Sequence, residues 1–172
     1  MWMGGVVLAA GAIVALAWFG HRPDRSLARF EAAGVMLAPP PDTVTEVVVS
    51  QGERRWRFER APSRAWTAEA GPRLAESISS RIDSGLRFLH VSAPQRVLRP
   101  DEVAGTPPSE FGLEPPRFSV SVRSRGGAPF DIEFGTLNAQ GLARYARLSG
   151  RPEILLLPSF VGEPWEAVMT TR

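Results

Sequence analysis

The chain has 172 residues, enough for one domain of ordinary size beside an anchoring segment and too few for a second full domain. All 20 basic side chains are arginine, and 18 carboxylates interleaved with them leave a formal net charge of +2, without the one-sided basic excess of a nucleic-acid-binding surface. Cysteine is absent, which excludes disulfides, thiolate nucleophiles and cysteine metal sites and leaves the compartment open.

From Trp2 to Phe19 there is no charged or strongly polar side chain. A helix over this stretch rises about 27 Å at ~1.5 Å per residue, close to the ~30 Å of a bilayer's hydrocarbon core. Trp2 at one end and Trp18 and Phe19 at the other suit the headgroup zones, and His21-Arg22-Pro23 ends the segment. Residues 1–22 are therefore expected to form a single-pass anchor in the lipid bilayer. A cleaved signal peptide is the alternative, because Ala15-Leu16-Ala17 resembles a small-x-small cleavage site. Against it, the positive side chains that normally open such a peptide are missing.

At 100° per residue Gly5, Ala9 and Ala12 fall on one face, with Gly4, Gly11 and Ala15 beside them, while Val6, Val7, Ile13 and Val14 lie opposite. Small residues let two backbones approach in lipid, so this face is expected to pack on a partner helix. Glycine and alanine are also simply common in membrane helices, which is the plainer account.

Residues 23–41 read as a juxtamembrane helix and spacer. Ser26 can cap a helix with Leu27, Phe30, Ala33, Gly34 and Leu37 at helical spacing, and Pro39-Pro40-Pro41 then forces an extended boundary.

Residues 42–172 form the expected soluble domain. Thr43–Ser50 is rich in valine and threonine, Gln51-Gly52-Glu53 is a turn, and over Arg54–Arg60 Trp56 and Phe58 alternate with Arg55, Arg57 and Glu59. That pattern is a hairpin with one buried face. Trp66 marks a third short strand over Ala65–Ala68. Leu74, Ile78, Ile82, Leu86 and Leu89 then make one stripe of a helix from Pro72 to Leu89. Val91–Leu98 reads as a strand broken by Pro94, and Arg99–Glu110 as a polar connection. The segments Arg117–Ser124, Phe130–Phe134, Leu142–Leu148 and Glu153–Leu157, separated by turns at Arg125-Gly126-Gly127 and Ser149-Gly150, read as an antiparallel meander. Strands outnumbering one main helix define an α+β fold.

Three collinear segments resemble the bacterial domain of unknown function 4340 family. They are Val47-Val48-Val49 through Trp56-Arg57-Phe58 to Trp66; Phe111-Gly112-Leu113-Glu114-Pro115-Pro116 before a strand; and Phe134-Gly135 followed by Ala143-Arg144-Tyr145-Ala146. The resemblance implies an N-terminal membrane helix and an extracytoplasmic domain, in some members an auxiliary protein of ABC-type transport systems of gliding motility. It carries no catalytic residues to transfer. This chain lacks the basic residues usual before the membrane helix.

The side chains for chemistry are sparse. His21 and His90 are the two histidines, neither with a ligand partner nearby in sequence, and the chain has no lysine for a phosphate-binding loop. The carboxylate pairs Asp101/Glu102 and Asp131/Glu133 are of a kind found on ordinary surface strands and loops. No catalytic residue, cofactor or metal is expected. The densest charge is Arg54, Arg55, Arg57, Arg60 and Arg64; Arg55 and Arg57 lie on the polar side of the hairpin, either solvated and paired with Glu53 and Glu59 or free to dock on a partner carboxylate or a lipid headgroup.

The expected role is a non-catalytic accessory or scaffolding subunit of a larger membrane protein complex, contacting its subunits through both the helix and the domain. Such a complex would be a transporter, a respiratory assembly or a photosynthetic reaction centre–antenna assembly. The alternative is a cell-envelope binding module for a lipid, peptide or glycan. Arg22, Arg25 and Arg29 follow the anchor and favour a cytoplasmic domain by the positive-inside rule, whereas the family resemblance favours a periplasmic one.

Overall fold

Valine and threonine in β1 (Val44–Gln51) and alternating aromatics in β2 (Arg54–Arg60) build the first hairpin, with Val47 opposite Phe58 and Val49 opposite Trp56. The computed structural model describes residues 36–170 apart from Ala70 and Pro72. The expected anchor, its small-residue face and the start of the juxtamembrane helix lie outside the described residues. Among the described residues no helix is long and apolar enough to cross a membrane.

After β3 (Trp66–Ala68) the chain enters α1 (Glu76–Val91), then β4 (Arg96–Leu98), a 3-10 turn at Pro108–Phe111, and the meander β5 (Phe118–Ser124), β6 (Phe130–Leu137), β7 (Ala143–Leu148) and β8 (Ile154–Pro158). It ends in α2 (Glu163–Thr170). The strands form one eight-stranded sheet in the order β3-β2-β1-β5-β6-β7-β8-β4. Every neighbouring pair is antiparallel. The two meanders meet at β1 and β5, where Val47 faces Val122 and Val49 faces Val120.

Both helices lie on one face of this sheet. Ile82, Leu86 and Leu89 of α1 and Trp165, Val168 and Met169 of α2 share a buried core with Val47, Phe58, Trp66, Phe118, Ile132 and Phe134. Phe118 and Phe134 stack with ring centroids 4.7 Å apart, a geometry that adds to area burial. α1 carries the chain from the β3 edge to the β4 edge. Midway along it Asp83 Oδ1 accepts from Arg60 Nη2 at 2.6 Å and from Trp66 Nε1 at 3.0 Å. Past its end, Gln95 donates its backbone N–H to the Leu156 carbonyl of β8.

The fold class agrees with the α+β expectation, and the sheet corrects its details. α1 starts at Glu76 and not at Pro72, because the Leu74 N–H still bonds to the Trp66 carbonyl and Arg73 bridges to Thr67. Val91 belongs to α1, so the strand expected over Val91–Leu98 shrinks to the three residues of β4 at a sheet edge. α2 is a second helix where one main helix was expected. Its eight residues are too few to form alone, and burial of Trp165, Val168 and Met169 holds them.

Candidate functional site

On the face away from the helices, polar side chains pair across strands. Arg57 Nη2 donates to Glu46 Oε2 at 2.8 Å and its Nε lies 3.4 Å from Glu59 Oε1. Arg123 reaches Asp131 at 3.1 Å and Arg147 reaches Glu133 at 2.8 Å. These half-exposed pairs contribute little stability singly, but they fix the orientation of the side chains. Arg57 is therefore engaged with Glu46 and Glu59, and Glu53 in the turn takes no part. Arg55, opposite Ser50, stays exposed.

The carboxylate pairs flagged in the sequence are distributed in the same way. Asp131 belongs to Arg123 and Glu133 to Arg147, on neighbouring rungs of one strand. Glu102 accepts from the Arg99 backbone N–H at 2.9 Å and from Arg96 Nη2 at 2.8 Å. The backbone bond first, then the Arg96 guanidinium, hold its carboxyl below the ordinary carboxylate value; a general acid needs the opposite shift. His90, at the end of α1, places Nδ1 2.9 Å from the Ala38 carbonyl oxygen. That oxygen only accepts, so Nδ1 carries the proton, and the ring ties the helix end to the segment entering the sheet.

The second and third segments of the sequence pattern meet on that same face of β6 and β7. Gly112 adopts φ +67 and turns the chain so that the Phe111 carbonyl lies directly over Gly135, where a Cβ would overlap it. Thr136 Oγ1 donates to the same carbonyl at 3.1 Å, and Arg147 Nη2 lies 3.4 Å from the Leu113 carbonyl. Phe111 meets Tyr145 edge-on with centroids 4.9 Å apart. From the helix side, the 7% exposed Arg144 side chain donates Nη1 to the Gly135 carbonyl at 2.9 Å and Nη2 to Glu166 of α2 at 2.8 Å. Gly135 is thus gripped from both faces of the sheet, at the bulge between Phe134 and Leu137. These residues hold the β4-to-β5 connection and α2 in place.

A separate open groove of about 470 Å³ lies at the end of the sheet where the chain enters. Met36, Leu37 and Pro39 form one wall, and the turns between β5 and β6 and between β7 and β8 form the other, bringing Arg125, Gly126, Ser149 and Arg151 to the rim. Met36 is buried, but Leu37 is 70% exposed at φ +58. Arg125 and Arg151 are exposed and unpaired among the described residues. The sequence pattern did not single out this groove, because it gathers turn residues far apart in the chain.

No family model, curated protein or solved structure matches this chain. Among the described residues there is no group of three or more histidine, cysteine or acidic side chains placed to hold a metal ion.

Proposed function

We propose that the chain is a non-catalytic, membrane-anchored accessory subunit that stabilises a larger membrane complex, a transporter or a respiratory or photosynthetic assembly. One observation carries this reading: an uninterrupted apolar segment, Trp2–Phe19, precedes a domain whose most distinctive sequence segments serve packing. The resemblance to the domain of unknown function 4340 family, with its auxiliary transport proteins, points the same way. The helix contacts its partner through Gly4, Gly5, Ala9, Gly11, Ala12 and Ala15, and exposed Arg55 offers a bidentate contact to a partner carboxylate. In mild detergent the wild-type chain should migrate on native electrophoresis with partner subunits. Gly5→Leu or Ala9→Leu should release it about ten-fold more readily, and Val6→Leu should not. A wild-type chain that migrates as a lone monomer would sink the proposal.

The second reading is an envelope module that holds a lipid, peptide or glycan. The groove at the chain-entry end favours it, since Met36, Leu37, Phe130 and Leu148 line it together with polar side chains and with two guanidinium groups unpaired among the described residues.

We place residues 42–172 outside the cytoplasm, as the family resemblance implies and against the pull of Arg22, Arg25 and Arg29. Protease added to intact spheroplasts should then remove a C-terminal epitope. Protection until lysis would instead put the domain in the cytoplasm and the three arginines in their usual topological role.

A further inference from the structure

We infer that the chain-entry end of the sheet is a membrane-docking surface, on which Arg125 and Arg151 bind phosphate groups of the phospholipid headgroups around the anchor. This inference rests on the membrane-anchored reading above.

The first support is where the tether joins the domain. Residues 20–35 separate the apolar segment from Met36; fully extended they reach at most about 55 Å, and as a helix about 24 Å. The chain enters where β1 begins, which brings the turns between β5 and β6 and between β7 and β8 to the tethered end. The turn between β1 and β2 lies at the opposite end, roughly 25 Å away along an eight-residue strand. The two turns are therefore the part of the sheet nearest the point where the tether attaches.

Charge is the second support. Arg123, Arg144 and Arg147 are all bound to carboxylates. Among the described residues Arg125 and Arg151 differ from these three in being exposed and unpaired, on adjacent turns that line one groove. The groove's own carboxylate, Asp131, is occupied by Arg123 at 3.1 Å. Asp42 and Glu153 stand in the flanking segments, so the attraction is carried by two guanidinium groups at close range and not by net charge. Arginine suits this role, because its planar fork matches two phosphate oxygens. Exposed Leu37 on the same wall adds an apolar side chain at headgroup depth.

The absence of cysteine allows a clean test on the full chain. A fluorophore would be attached at Ser149→Cys in the groove and, in a second protein, at Gln51→Cys at the far end. Each protein would be reconstituted into vesicles of phosphatidylcholine with or without phosphatidylglycerol, carrying headgroup spin-labelled lipid as quencher. Quenching should be strong at Ser149→Cys and weak at Gln51→Cys, and should increase with the anionic lipid. Arg125→Gln and Arg151→Gln should each lower the docked-to-undocked ratio about five-fold, and added salt should lower it further. Equal quenching at the two ends, or quenching at Ser149→Cys that ignores both arginines, would overturn the docking surface while leaving the anchor intact. Failure of the wild-type chain to float with vesicles would remove the anchor and the docking surface together.

Discussion

Gly135→Ala should be among the most damaging single-methyl additions in the domain, costing about 3 kcal/mol or more. The new Cβ would overlap the Phe111 carbonyl, a backbone atom that no rotamer change can move aside. To make room, the 108–117 connection must lift from β6. That movement breaks the Thr136 hydroxyl bond to Phe111 O and weakens the Phe111–Tyr145 contact. Gly52→Ala separates the two effects: Gly52 has a φ of +57 that is unfavourable for alanine, which Gly135 does not share, but its Cβ meets nothing within 4 Å, so it should cost about 1 kcal/mol. Thermal unfolding of the detergent-solubilised chain by circular dichroism should put the two variants several degrees apart. Similar midpoints would show that the connection is loosely held and that the grip on Gly135 from both faces has no energetic weight.

The first hairpin was legible because one physical rule decided it. Alternation over Arg54–Arg60 puts Trp56 and Phe58 on one side whatever lies beyond, and the structure agrees almost residue for residue. The meander was legible for the same reason. β4 was not, because a three-residue edge strand has no pattern of its own and exists through pairing with β8. α2 was missed on similar grounds: Glu163–Thr170 has weak intrinsic helicity at that length, and what stabilises it is a core assembled from β5, β6 and α1.

The surface followed the same division between local and long-range information. Alternation separates Arg55 and Arg57 from the buried aromatics, but it cannot say that Glu46, on the neighbouring strand, binds Arg57 while Arg55 stays exposed. Arg144 was even less legible. It looks like one more strand arginine, yet it is buried beneath α2 and joins the β6 bulge to Glu166. The groove at the chain-entry end depends on three segments that converge only once the β1–β5 pairing has formed.

Gly85 carried a signal that the apolar stripe of α1 did not absorb. Glycine inside a helix is about 1 kcal/mol worse than alanine, so its presence between Ser84 and Leu86 implies a neighbour that needs the space. That neighbour is Trp165 of α2, fully buried, whose ring carbons would lie 2.5 and 2.6 Å from an added Cβ. Gly85→Ala therefore sets a helix-propensity gain of about 1 kcal/mol against overpacking of a side chain with no open space to enter. Overpacking should win, for a net loss of about 2 kcal/mol. Because Trp165 anchors a helix of only eight residues, the disturbance should spread to α2: amide exchange at Val168 and Met169 should accelerate and tryptophan emission should move to longer wavelength. Trp165→Phe alone should also destabilise, by leaving space over Gly85. Combined with Gly85→Ala it should cost less than the sum of the two single changes, because the smaller ring vacates the room that the methyl group takes. Strict additivity in that cycle would show that Gly85 and Trp165 do not share one packing site.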